Sequence, residues 1–160
     1  MVVMSPGVLF GPPLGQNITG QTMSAFDQIL RGKIPLVPKF AFPTVDVRDV
    51  AKLHVQALTL PVASGKRIIV AGEEPNGMLD VMKILKTEGY KGPSTRIAPN
   101  FLLRLVALFD REAKGMLVYL GMDVSCDNSE TRKMFNWMPI PFKQSVLETA
   151  VAIKSIQDKA

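Results

Sequence analysis

Cysteine and histidine, two of the residue types that most often carry chemistry, occur once each in this 160-residue chain, as Cys126 and His54. A zinc site needs three or four such ligands, so the pair makes none, and one cysteine leaves no internal disulfide framework. Cys126 stands just before Asp127 with no activating cation or base beside it. His54 shares a predicted helix face with Val50, Ala57 and Leu58 and reads as a satisfied core histidine without a chemical role. Trp137 is expected to pack the final helices together. The nine methionines fall mostly at core-like helix positions. The segment Ser5-Pro6-Gly7-Val8 says more, because a rigid ring followed by a residue without a side chain lets main chain approach a flat ligand closely. Read alone, it is an ordinary strand-ending turn.

The elements around that turn are legible in outline. Val2 to Met4 is apolar, partly β-branched and closed by Pro6-Gly7, which predicts a strand buried on both faces. Gly7 to Gly20 holds so many glycines and prolines that it reads as one long loop, a length that is usually functional. A short helix from Thr22 to Arg31 stops at Gly32. Pro35 and Pro38 keep the chain extended as far as Val45, and Asp46 then caps a helix from about Arg48 to Leu58. Lys66 to Gly72 predicts a second buried strand, and the crossover between the two strands makes them parallel.

Beyond Gly72 only helices are expected. One carries Met78, Leu79, Met82 and Leu85 inward and stops at Gly89. Another, starting at Pro99, carries Leu102, Leu105, Val106 and Phe109. Asp127-Asn128-Ser129-Glu130 starts a third, which runs to about Phe135. The last spans about Lys143 to Ile156, with Val146, Ala150, Ile153 and Ile156 facing the core. The fold class is therefore α/β. A partial Rossmann-like parallel sheet over residues 1–72 is followed by a mostly helical substrate-binding region over residues 73–160.

Composition narrows the partners. The net charge is +5, but residues 1–60 carry five basic and three acidic groups, 61–100 six and four, and 101–160 eight and seven, an even mixture that argues against nucleic acid. No stretch approaches the roughly 20 apolar residues of a membrane helix, and the start lacks the charged n-region of a signal peptide, so the expected compartment is the cytosol.

Several motifs share one resemblance: Ser5-Pro6-Gly7-Val8-Leu9-Phe10-Gly11-Pro12-Pro13-Leu14, Ile34-Pro35, and Val45-Asp46-Val47-Arg48-Asp49-Val50-Ala51-Lys52-Leu53-His54. With Gly65 to Glu73, Leu108-Phe109-Asp110, Asp127-Asn128-Ser129 and Asn136-Trp137-Met138-Pro139, they resemble the extended short-chain dehydrogenases/reductases of the NAD-dependent epimerase/dehydratase superfamily. The nearest likeness is to the dihydroflavonol reductase-like and aldehyde reductase-like branch. The resemblance implies a reductase that uses NADP or NAD on an aldehyde or ketone with a hydrophobic body. It carries cofactor contact onto Pro6, Gly7 and Val8 at the nicotinamide ring, and onto Thr22, with Ser24 close behind, at the next helix. A plain helix cap is the other reading of Thr22. The loop from Phe10 to Gln21 and the helices after Gly72 would form the substrate side.

Two family features do not match. The pyrophosphate of the cofactor is held by the amides of a Gly-rich turn, whereas Gly11-Pro12-Pro13-Leu14-Gly15 lacks the spacing, and its prolines remove amide donors. The reduction uses a tyrosine with a lysine four residues later, but Ser94 follows Tyr90 at that distance and Asp123 follows Tyr119. The chain thus reads as a carboxyl-terminal half with no catalytic residue of its own, most of the cofactor site elsewhere, and no turnover alone. The expected partners are a small carbonyl substrate and a second copy or a complementing amino-terminal half. The other reading is a non-catalytic binding or assembly module derived from that fold. A third reading takes Met1 as a boundary in a longer coding sequence, testable by reading upstream for an in-frame Gly-rich turn and Tyr-x-x-x-Lys.

Overall fold

The computed structural model describes residues 1–108, 114–115 and 117–159. Phe109 and Asp110, and the side chain of Val106, lie outside what is described. The first strand, β1 (Val3–Pro6), lies parallel to β4 (Arg67–Val70), pairing Val3 with Arg67 through Pro6 with Val70. This is the crossover pair expected from the sequence. Neither strand is buried on both faces, however. In β4, Ile68 and Val70 are buried while Arg67 and Ile69 are exposed, and Val3 is exposed in β1. Among the described residues a helix covers only one face of this pair, so the β-branched run alternates in burial although its sequence does not.

The stretch expected to be one loop contains a strand. β2 (Val8–Phe10) pairs in parallel with β3 (Phe42–Asp46), and β3 pairs antiparallel with the two-residue β5 (Pro75–Asn76). A three-residue strand has no period to read, and its partner lies more than thirty residues away. Gly7 joins β1 to β2, and its N–H donates to Val70 O at 3.1 Å.

The first helix, α1 (Gln21–Leu30), ends at Gly32, whose φ of 70° is the left-handed stop that glycine provides. In α2 (Val47–Thr59), Asp46 is the N-cap, accepting from Arg48 N at 2.9 Å. The buried face of α2 is Asp49, Val50 and Leu53, one position removed from the stripe read in the sequence. His54 is consequently exposed, its ring Nδ1 satisfied by Val50 O at 2.8 Å, and Leu58 is also exposed. His54 is not a core histidine: a step of one residue turns a side chain about 100° around the helix axis.

After β5 come α3 (Met78–Thr87), α4 (Asn100–Val106), α5 (Ser129–Phe135) and α6 (Phe142–Gln157). Two cores result. Phe10, Phe26, Ile29, Val81, Met82, Leu85, Val146 and Ile153 join β2 to α1, α3 and α6. Val45, Val50, Leu53, Ile68, Val70, Phe135 and Trp137 fill the space between the strands and α2. Trp137 therefore packs the end of α5 onto α2 and the sheet, and does not join the last two helices. The α4 expectation also fails in part, since Leu105 is exposed alongside Phe101. None of the described helices is long and apolar enough to cross a membrane.

Candidate functional site

The carboxyl ends of β1 and β4 open into a groove of about 470 Å³. Its floor is Ser5, Pro6, Gly7 and Val8, and its walls are Phe42 and Pro43 from β3, Ile69 from β4 and Ala71 just beyond it, and Cys126. A crevice beyond the carboxyl ends of parallel strands is where open α/β sheets take ligands. The lining is apolar apart from Ser5 and Cys126, so it suits a flat, uncharged ring. Among the described residues no basic side chain lines it to neutralise a pyrophosphate.

Three of the four sequence-predicted residues thus come together and the fourth does not. Pro6, Gly7 and Val8 share the groove. Thr22, half-buried at the second position of α1, lines neither this groove nor the cavity beside it. Nor is Thr22 the cap, which is Gly20 without a side-chain bond, and the Ser24 hydroxyl accepts from Gln28 at 3.4 Å. The reason for glycine at position 7 is local packing. A Cβ there would lie 2.3 Å from Pro43 O and 2.9 Å from Ala71 Cβ, so the missing side chain is what lets β3 close over the turn. Phe42, Pro43, Ile69 and Ala71 were missed as lining residues because strand register brings them in, and Cys126 because its bond to Gly72 O places it there. Phe42 makes an edge-to-face contact with Tyr119 at 5.2 Å and a tilted one with Phe40 at 5.5 Å, which fixes its ring at the groove wall.

Among the described residues Cys126 has no activating partner. Its Sγ donates to Gly72 O at 3.2 Å, and burial, reinforced by the negative charges of Glu73 and Asp127, pushes the thiol pKa up. It is a weak nucleophile. With its neighbours it does structural work on the outer edge of β4. Cys126 bonds Gly72 O, Asn128 Nδ2 donates to Ala71 O at 2.6 Å, and Thr131 Oγ1 donates to Ile69 O at 2.8 Å. Three side chains from one segment thereby cover an edge of backbone acceptors.

Behind the groove a buried polar cluster fixes the ends of β2 and β3. Asp46, with its side chain wholly buried, accepts from Arg48 Nη2 at 2.7 Å, Arg48 Nε at 2.8 Å and Ser145 Oγ at 2.5 Å. Burial works to raise its pKa, but the hydrogen bonds from Arg48 and Ser145 outweigh it and hold the carboxyl below the usual carboxylate range. The Arg48 guanidinium also pairs with Glu148 at 2.5 Å. Thr149 Oγ1 accepts from Gly11 N at 2.9 Å, which fastens the turn after β2 to α6.

No family model matches the chain. Over 99 residues, 61% of this chain and 28% of the relative, it is 33% identical to the ketoreductase nvfG of Aspergillus novofumigatus. It is 27% identical to an uncharacterised oxidoreductase of Saccharomyces cerevisiae across 99% of this chain and 44% of that protein. The chain spans less than half the length of these curated relatives. Among solved structures, the yeast methylglyoxal/isovaleraldehyde reductase Gre2, complexed with NADPH, superposes with a TM-score of 0.70 at 23% identity, covering 98% of this chain and 47% of that one. The fold is that of the extended short-chain dehydrogenases/reductases, in a portion of the length of the whole enzymes. The sequence relatives are oxidoreductases.

Proposed function

We propose that this chain is the carboxyl-terminal, substrate-side half of an NADP(H)-dependent reductase of the dihydroflavonol reductase-like branch, acting in the cytosol on an aldehyde or ketone with a hydrophobic body. The observation that carries the reading is the apolar groove on Ser5-Pro6-Gly7-Val8, at the carboxyl end of the β1–β4 pair. NADPH in the solved yeast relative supports the phosphorylated cofactor over NAD. Pro6, Gly7 and Val8 fit the nicotinamide end of such a cofactor, and the groove carries nothing for the phosphates. When bound, the cofactor supplies a hydride to the carbonyl carbon.

The chain's own residues position and enclose. Pro6 and Gly7 hold a rigid main-chain floor, while Val8, Ile69 and Ala71 keep water from one face of the ring. Phe42 and Pro43 stand where a substrate's apolar body would press. Holding reactants in register is a large share of catalysis, and it needs no titrating group. Thr22 stays in the proposal as a cofactor contact made through atoms beyond the groove.

Because Cys126 is the only thiol and lines the groove, its alkylation reads occupancy. Reduced nicotinamide mononucleotide should slow alkylation of Cys126 by N-ethylmaleimide at alkaline pH, and Val8→Trp, which fills the groove, should slow it without ligand. An unchanged rate at saturating nucleotide would remove the reading.

A second reading, a non-catalytic assembly module, draws on the open edge of β1. Among the described residues β1 pairs only with β4, whose far side is covered by Cys126, Asn128 and Thr131. A complementing amino-terminal half, or a second copy, would pair there.

A further inference from the structure

The groove has a neighbour with different chemistry. Pro43, Ala71 and Cys126 line the groove, while the next residues along each segment, Thr44 and Gly72, together with Asn128, line a second cavity of about 310 Å³. Asn128 is 1% exposed. Its Nδ2 is used by Ala71 O at 2.6 Å, and its Oδ1 is buried with no hydrogen-bond partner among the described residues. Buried carbonyl oxygens nearly always find a donor, so this one marks where a donor belongs.

The rest of the lining says what kind of donor. Asn76 also faces the cavity, and its amide nitrogen is already committed to Thr44 Oγ1 at 3.2 Å and Glu74 O at 3.1 Å, which leaves its oxygen as an acceptor. Arg132 is paired with Glu73 at 3.4 Å, while Glu74 makes no ion pair among the described residues. The carboxylate of Asp46 is saturated by Arg48 and Ser145. The open acceptors are thus two amide oxygens and one carboxylate, beside the N–H groups that Arg132 does not spend on Glu73 and the edge-to-face pair of Phe10 and Phe142 at 5.3 Å. Acceptors, one uncompensated negative charge and aromatic faces together favour an organic monocation that carries N–H donors. The volume is at the lower end of small-ligand cavities.

We infer that this cavity is a binding site for a small primary ammonium compound, with Asn128 Oδ1 and Asn76 Oδ1 accepting from the ammonium and Glu74 balancing its charge. The site is separate from the nicotinamide groove and does not depend on the reductase reading.

The test is a chemical-shift titration of the 160-residue chain, following the side-chain amide signals of Asn128 and Asn76. The probes are n-propylammonium, 1-propanol, propionate and tetramethylammonium. Propylammonium should bind saturably with a Kd of about 1 mM or somewhat weaker, in keeping with its few heavy atoms. Propanol, which lacks the charge, and tetramethylammonium, which lacks the donors, should bind at least about tenfold more weakly. Glu74→Gln, at an exposed position that leaves the core intact, should weaken propylammonium several-fold with an otherwise unchanged spectrum. Propylammonium that fails to saturate, tetramethylammonium or propanol that matches it, or a Kd indifferent to Glu74→Gln would each overturn the proposal. So would a long-lived water on Asn128 that propylammonium does not displace.

Discussion

At the scale of single residues, Gly7 and Asn128 show opposite relations between sequence and site. Gly7 stands out in the sequence as a place where main chain could meet a ligand, yet the space its hydrogen leaves is taken by Pro43 O and Ala71 Cβ. Gly7→Ala should therefore destabilise the chain by about 2 kcal/mol or more, the scale of overpacking at a tight backbone contact, because backbone cannot rotate away as a side chain can. Urea unfolding followed by far-ultraviolet circular dichroism measures this, and a loss below about 0.5 kcal/mol would show that β3 yields. Asn128 reads in the sequence only as part of a helix-start signal. Its unpaired oxygen exists because Ala71 O takes the nitrogen, a contact 57 residues away in the chain. Cys126 and Phe42 were invisible as groove residues for the same reason.

At the scale of elements, the ends of the strands are tied by charge. Asp46 caps α2 and accepts from Arg48 and Ser145, which joins β3 to α6. Its carboxyl is held below the usual range in the folded chain, so it contributes stability that is fully present above the unfolded carboxylate value of about 4 and is lost as pH falls through the folded value. The unfolded state takes up the proton first, which makes acid the destabilising direction. Asp46→Ala should cost about 3 kcal/mol at neutral pH from the lost cap and charge-assisted bonds. It should also flatten the decline of the thermal midpoint between pH 5 and pH 3, as measured by scanning calorimetry.

The β1 edge belongs to the same scale. Val3 N and Gly7 N donate toward β4, so by the two-residue alternation of a strand the missing N–H of Pro6 faces the open side. That edge is one donor short, yet it is still available for pairing. Light scattering should find a concentration-dependent species above the 17.5 kDa monomer, and Val3→Lys, which places charge on the exposed face, should shift it to monomer. A strict monomer across the concentration range would count against the assembly reading.

The whole molecule was partly legible in its sequence. The β1–β4 crossover, the cap at Asp46, the stop at Gly32 and the helices α3, α5 and α6 follow from local signals of turn chemistry and period. What escaped depends on distant partners. β2 is too short to carry a period. The buried face of α2 lies one residue away from its most apolar stripe, because Asp49 is drawn inward by Ile140 N at 2.8 Å. Leu105 and Ile69 are apolar and exposed because no helix or strand among the described residues covers them. Pro6, Gly7, Val8 and Thr22 were all assigned by the same resemblance; the first three share a groove because they adjoin one another, and Thr22 sits apart in space.

In the proposed function the floor formed by Pro6, Gly7 and Val8 receives a nicotinamide ring, with no basic side chain among the described groove residues to seat the phosphates. Saturation-transfer NMR with NADPH and the 160-residue chain tests it directly. The strongest transfer should reach the nicotinamide protons, with little to adenine, and Val8→Trp should abolish it. Transfer centred on the adenine, or nicotinamide transfer undiminished by Val8→Trp, would contradict it.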